Sequence, residues 1–265
     1  MKTRVMVIGG SDSSGGAGIQ ADMKTVSALG AYAASAISMV TVQDTHGISD
    51  IHEIPPHVVA AQIFSVLSDI GADALKTGAL GSAETIHAVA MELENTAYDI
   101  PLVVDPVLVA TGGGSLMDRD ALGIFKAELV LQADLITPNI REAEILAGSD
   151  ITCVADMKRI GERLLTLGPP AVLITGGHMN GDQVTDVLLT LDETMEFSSP
   201  RLETQNDHGT GCTLASAIAT GLAQKMPLIA AIERARAYVH EALRTAPGFG
   251  RGRGPLNHMH VLDSR

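Results

Sequence analysis

His208, Gly209, Thr210, Gly211, Cys212 and Thr213 are consecutive, and their types suit the holding of an anion. Two glycines let the backbone turn sharply with its N–H groups unblocked. The apolar run that follows, Leu214, Ala215, Ser216, Ala217, Ile218 and Ala219, reads as a helix whose N-terminus adds the positive end of its dipole. Gly209, Thr210 and Gly211 are therefore candidates to stabilise charge on a group in transfer. Cys212 falls in the first helical turn, where a thiolate is favoured. The competing reading is a small buried cysteine that fills a helix–sheet contact behind an ordinary glycine-rich turn.

A second glycine-rich stretch opens the chain at residues 9–18 and leads into Ile19, Gln20, Ala21 and Asp22. It contains a formal G-x-G-x-x-A at Gly16, Gly18 and Ala21. Those glycines come well after the expected strand tip, however, and no acid closes a second strand at the usual offset, since Asp44 lies later. No G-x-x-x-x-G-K-[ST] phosphate loop occurs either. The stretch reads instead as a cradle for a small ligand, with Asp12, Ser13 and Asp22 orienting a hydroxyl.

The elements that must position these loops follow from apolar patterning. Short apolar runs ending in Gly, Asp or Asn predict strands over 5–8, 36–42, 74–77, 102–105, 135–137 and 171–174. A hairpin over 183–191 and 194–200 follows, with its turn at Leu191, Asp192, Glu193 and Thr194. Longer amphipathic stretches predict helices over 18–30, 56–70, 83–93, 118–130, 140–147, 156–167, 211–224 and 228–246. Alternation of this kind predicts an α/β fold with a mostly parallel sheet. Gly9, Gly10, Gly78, the glycines of 111–114, Gly176, Gly177, Gly209 and Gly211 then gather at strand C-termini, where open sheets bind ligands.

Bulk composition narrows the function. With 265 residues, 46% of them apolar, the chain reads as a single domain over 1–265. A formal charge of −13, no Trp, 3 Tyr and 4 Phe argue against nucleic acid as a partner. They do not argue against a small anionic ligand, because oriented backbone amides act at short range. The two cysteines, Cys153 and Cys212, suggest no disulfide framework, and the apolar run before Gly9 is too short for a signal core or membrane span. A cytoplasmic protein with no membrane partner is expected.

Four segments together resemble the hydroxymethylpyrimidine/phosphomethylpyrimidine kinases of thiamine biosynthesis, within the ribokinase-like superfamily. They are the loop over 10–22, Val103 to Val107 with Asp105 and Pro106 between them, Ile136 to Asn139 with Glu142 and Glu144, and the stretch from His208 to Leu214. The tail over 248–260 is also similar. The resemblance implies a three-layer α/β/α fold with a central, mostly parallel sheet, a homodimer, and ATP with Mg2+ as cofactors. It implies an aminopyrimidine substrate read by Gln43, with Gly10, Asp22, Ala79 and Val107 around it. Asn139, Thr175, Gly177 and His208 would lie toward the nucleotide, and Asp105 and Glu142 toward the metal. Cys212 occupies the place where most relatives carry an aspartate base.

The chain also departs from that pattern. Thr175 stands where a lysine is usual, and Lys76, Thr77, Gly78 and Ala79 replace a usual Lys-Ile-Gly-Met. Lys76 either compensates for the missing charge or simply flanks a strand end, the latter being the plainer expectation. The segment over 111–115 reads as a mobile flap. Alternatives are a pyridoxal or pyridoxamine kinase, and a non-catalytic vitamer-binding regulator of the same fold.

Overall fold

The computed structural model describes residues 2–108, 117 and 119–263. The flap expected over 111–115 lies outside the described residues. The strands are β1 (Arg4–Asp12), β2 (Tyr32–Asp44), β3 (Gly47–Glu53), β4 (Ala74–Thr77), β5 (Leu102–Val104), β6 (Leu135–Ile136), β7 (Ala171–Ile174), β8 (Gln183–Thr190) and β9 (Thr194–Pro200). They form one sheet in the order β3-β2-β1-β4-β5-β6-β7-β8-β9. The run from β2 to β7 is parallel, while β3, β8 and β9 are antiparallel to their neighbours.

The helices are α1 (Gly18–Ala28), α2 (Pro56–Asp69), α3 (Ala83–Thr96), α4 (Arg119–Ile124), α5 (Ile140–Ala147), α6 (Val154–Leu165), α7 (Thr210–Ala223), α8 (Leu228–Arg244) and α9 (His260–Asp263). They cover both faces of the sheet, as residue alternation along the strands requires. Met6, Ile8, Leu75, Val104 and Ile136 face one core, packed by α2, α3, α5 and α6. Val5, Val7, Val103, Leu135 and Leu173 face the other, packed by α1, α7 and α8. The expected α/β/α architecture with a mostly parallel sheet is what the chain adopts.

Several elements differ from the sequence reading, among them the unexpected short helix α9 and a β1 that runs on to Asp12. The segment over 47–53 is a strand, β3, paired only with β2 at the sheet's edge and largely exposed, so it carries no clean apolar alternation. The helix expected over 118–130 narrows to α4, then continues through a π-helical turn (Phe125–Leu129) and a 3-10 turn (Val130–Gln132). The second strand begins at Tyr32 rather than 36, because its first residues pair with β1 from Arg4 onward. No helix among the described residues is long and apolar enough to cross a membrane.

After α8 the chain turns back across the strand C-termini as a strap. The N–H groups of Arg251 and Gly252 meet the Thr45 hydroxyl, and that of Arg253 meets the Thr45 carbonyl at 2.8 Å. The His208 N–H bonds the Gly254 carbonyl at 3.1 Å, and His258 Nε2 lies 3.0 Å from the Thr213 hydroxyl of α7. One segment thus ties the turn between β2 and β3 to the start of α7.

The two-residue strand β6 serves both cores, with Leu135 on one face and Ile136 on the other, both wholly buried. Ile136→Ala should therefore lower stability by about 2–4 kcal/mol in urea unfolding. A loss below about 1 kcal/mol would show that this part of the core is not tightly packed.

Candidate active site

Gly209 adopts φ 89°, and a Cβ placed there would lie 1.9 Å from the carbonyl oxygen of Gly16. The two glycine-rich loops therefore touch backbone to backbone. Asp12 organises the contact. It accepts N–H bonds from Ser14 and Ala17 at 2.8 Å each, and His208 Nε2 donates to it at 2.8 Å. Burial pushes the Asp12 carboxyl up, but the bonds from His208, Ser14 and Ala17 outweigh it and hold it down at about 2.

This corrects the cradle reading for two residues. Asp12 spends its oxygens on the loop itself, and the Ser13 hydroxyl exchanges bonds with the Gln43 backbone at 2.8 and 2.9 Å. Neither is left to orient a ligand hydroxyl. His208, expected toward the nucleotide, lines the cleft but spends Nε2 on Asp12, and Gln43 Nε2 lies 3.3 Å from the same atom.

The floor of the cleft is charged. Lys76, at 0% exposure on β4, places Nζ 3.0 Å from each Asp22 oxygen and 3.4 Å from Asp105 Oδ2. The Ser216 hydroxyl of α7 donates to Asp22 at 2.7 Å. Lys76 is thus no charge at the rim of a strand end; it is the buried cation of the site, and it does not stand in the place of Thr175. Burial alone would lower its pKa, yet the Asp22 and Asp105 carboxylates raise it and keep it an ammonium. Asp22 is in the cleft wall as expected, but it serves chiefly as the partner of Lys76.

Cys212 borders the same cleft and keeps part of its surface open. Burial nevertheless pushes its thiol well up, and Lys76 only partly offsets this while Asp105 and Asp22 add to it. The expected thiolate is replaced by a neutral thiol. The helix dipole loses because the low-dielectric surroundings penalise any anion beside two carboxylates.

Asn139 and Glu142 form a reciprocal cap on α5. Asn139 Oδ1 accepts the Glu142 N–H at 3.1 Å, and Glu142 Oε2 accepts the Asn139 N–H at 2.8 Å. Glu142 is 5% exposed and Asp105 is 4% exposed. Burial and the charge of Asp105 push the Glu142 carboxyl up to about 8. Asp105 Oδ2 is buried without a hydrogen-bond partner, and Asp105 Oδ1 lies 3.8 Å from where a Cβ on Gly211 would sit.

A carboxylate oxygen with no hydrogen bond and only the Lys76 ammonium at 3.4 Å, beside a second crowded carboxylate and next to an amide-rich loop, fits a hard divalent cation such as Mg2+. Among the described residues no group of three or more His, Cys, Asp or Glu side chains could chelate a metal. A two-carboxylate site suits Mg2+ all the same, because that ion keeps several waters and shares phosphate oxygens.

The walls complete a cleft of about 220 Å3. Gly10, Gln43, Ala79 and Val107 line one side together with Met39 and Ile48; Asn139 and Thr175 line the other with Arg141 and His178. Gln43 accepts the Thr41 hydroxyl on Oε1 at 3.0 Å. Gly177 does not reach the wall; its carbonyl accepts from Arg201 Nη1 at 2.8 Å, which anchors its loop. Cys212 and Glu142 share this one cleft with the amides of Gly209, Thr210 and Gly211.

The sequence reading had not placed Met39, Ile48, Arg141, His178 and Arg253 in the wall. Arg141 was the most accessible of these to reasoning, lying between Asn139 and Glu142. Ile48 was hidden because β3 had not been recognised.

The chain is similar to known proteins in both sequence and fold. The model of a family described as phosphomethylpyrimidine kinase matches residues 12–257. A hydroxymethylpyrimidine/phosphomethylpyrimidine kinase from Rhizobium meliloti is 44% identical over 263 residues, covering 98% of each chain. The thiamine biosynthesis bifunctional protein ThiED of Geobacter sulfurreducens is 49% identical over 255 residues; the match takes in 96% of this chain and 52% of that protein, about half its length.

Among solved structures, the phosphomethylpyrimidine kinase of Clostridium difficile superposes with a TM-score of 0.80 at 38% identity, covering 91% of this chain and 99% of that one. An ADP complex of Bacillus subtilis pyridoxal kinase gives 0.91 at 30% identity, covering 99% of each. Staphylococcus aureus pyridoxal kinase with AMP-PCP and pyridoxal gives 0.89 at 30% identity, covering 97% of this chain and 93% of that one.

Two outcomes are expected from the site. Gly209→Ala places a methyl group against the Gly16 carbonyl and should lower kcat by about 100-fold or more with far-UV circular dichroism retained; near-normal turnover would remove the loop from the chemistry. Glu142 binds its proton more tightly folded than unfolded, so between its ordinary 4.5 and about 8 it makes the folded state lose stability as pH rises. Glu142→Gln should accordingly gain stability relative to the parent across that window in urea unfolding without metal, and a difference independent of pH would contradict the raised value.

Proposed function

The chain belongs to the phosphomethylpyrimidine kinase family, and we propose that it transfers the γ-phosphoryl of ATP to the hydroxymethyl oxygen of 4-amino-5-hydroxymethyl-2-methylpyrimidine and then to the resulting monophosphate. The observation that carries this reading is the single cleft lined together by Gly209 and Gly211 at the start of α7, the Asp105 and Glu142 carboxylates, and Gln43 and Gly10. Complexes of relatives with ADP and with AMP-PCP support a nucleotide as the donor.

Each group has a role in that transfer. The Gly209 and Gly211 amides stand at the start of α7, where they can stabilise negative charge gathering on the phosphoryl group, while the Thr210 N–H is held by the Asp207 carbonyl at 3.4 Å. Asp105 and Glu142 would hold Mg2+, which neutralises charge on the nucleotide phosphates when bound. Lys76 keeps Asp105 in place and balances the carboxylates beneath the reacting groups. Gln43 offers an amide beside Gly10 and Val107 for the edge of an aminopyrimidine.

The acceptor oxygen attacks phosphorus as the bond to the β-phosphate oxygen breaks, ADP leaves, and the acceptor's hydroxyl proton passes to solvent. A loose transition state makes little demand for early proton removal. Cys212 can therefore act as a neutral thiol that seats the acceptor hydroxyl, and positioning rather than basicity is its contribution.

Pyridoxal is the specific competitor, because the pyridoxal kinases superpose closely and Ala79 leaves the pyrimidine wall less filled than a larger residue would. Purified protein with ATP, Mg2+ and each vitamer should yield the pyrimidine mono- and diphosphates by mass spectrometry, with no product after chelation of the metal. Cys212→Ala should slow turnover by roughly 10- to 100-fold without abolishing it. Preferential phosphorylation of pyridoxal, or binding without ATP consumption, would refute the assignment.

A further inference from the structure

The cleft mouth carries a feature that the roles above leave unused. Arg253 projects from the strap into the cleft wall, where Arg141 and His178 also stand. Its Nε donates to Asp207 Oδ1 at 2.7 Å and its Nη2 to Asp207 Oδ2. That bidentate grip uses one edge of the guanidinium and leaves Nη1 without a protein partner among the described residues. Burial, then the charges of Arg141 and Arg253, depress the His178 imidazole, so the cations gather at one mouth.

Arg253 is tied at both ends of the reaction axis. Its backbone N–H binds Thr45, which stands in the turn between β2 and β3, and these strands supply Gln43 and Ile48 to the acceptor wall. Its side chain binds Asp207, two residues before Gly209 of the anion loop. Arg141 and His178, by contrast, rise from α5 and the loop after β7, on the side of Asn139 and Thr175.

We propose that Arg253 recognises the phosphate of a phosphorylated acceptor and so determines specificity for the second transfer. The proposal rests on the kinase reading above. In that step an oxygen of the acceptor's phosphate monoester attacks the γ-phosphorus of ATP, a new P–O bond forms, the bond to the β-phosphate oxygen breaks, and ADP leaves. Any proton on the monoester passes to solvent. The acceptor then brings close to two negative charges toward a floor that holds Asp22, Asp105 and Glu142. An alcohol acceptor meets no such repulsion. A guanidinium held in a fixed orientation by Asp207 offsets it where the two substrates differ.

The test compares kcat/KM for the hydroxymethyl acceptor and for its phosphate at saturating ATP and Mg2+, and KM for ATP with each acceptor saturating, in the parent, Arg253→Gln, Arg253→Lys, Asp207→Asn and Arg141→Gln. Arg253→Gln should lower the preference for the phosphate over the alcohol by roughly 10- to 100-fold, through KM, with monophosphate accumulating. Arg253→Lys should recover part of that preference, and Asp207→Asn, which breaks the ion pair but keeps the guanidinium, should retain most of it. Arg141→Gln should raise KM for ATP alike with both acceptors.

An unchanged preference in Arg253→Gln overturns the proposal, and so does a loss confined to KM for ATP. Equal losses in Arg253→Gln and Asp207→Asn, with matching falls in melting temperature, would make the pair a brace and also overturn it. Failure of the parent on both acceptors is a different result, which sinks the kinase reading itself.

Discussion

The site depends on the charge balance around Lys76. One ammonium without solvent contact meets Asp22 and Asp105, and Glu142 stands beside them. Taking such ions out of water costs several kcal/mol each, and an ion pair of this kind is weak evidence for stability on its own. Its worth lies in what it arranges. Asp22 comes from α1, Lys76 from β4, Ser216 from α7 and Asp105 from the end of β5, so the cluster fixes four elements relative to one another at the strand C-termini. It also leaves the floor two positive charges short of balance once Glu142 ionises, which a divalent cation supplies.

Above that floor the loops are held by backbone rather than by side chains. The contact between the Gly16 carbonyl and Gly209 brings the first and last glycine-rich segments together, and the Asp12–His208 pair locks it from behind. Such packing is stiff, because any side chain at Gly209 would collide with the Gly16 carbonyl. An anion hole gains most when its donors are already in place, so this rigidity and the chemistry have one source.

Much of this was legible in the sequence, and the gaps have physical reasons. The buried parallel strands were visible because both of their faces are covered, which makes them continuous apolar runs. The loop around Gly209 was visible because glycine is needed where a side chain would collide. Lys76 was misread because a lysine at a strand end is ordinarily solvated, and only the folded positions of Asp22 and Asp105 reveal its burial. Cys212 was expected as a thiolate because a helix start is visible in sequence, whereas the neighbouring carboxylates come from distant segments. The strand β3 escaped because an edge strand with one partner need not alternate, and Arg253 because nothing local relates it to Asp207.

The strap has a consequence for the order in which the molecule is made. Residues 249–258 leave the ribosome after every other residue of the cleft, yet they hold Thr45, His208 and Thr213. A nascent chain can form both cores and the Lys76 cluster during elongation, since domains begin to fold from their N-terminal side. Its two glycine-rich loops can then meet through Gly16, Gly209 and the Asp12–His208 pair, and the bonds to Thr45, His208 and Thr213 form when the stretch over 249–258 docks. The cores are thereby in place before the strap makes its bonds across the cleft mouth.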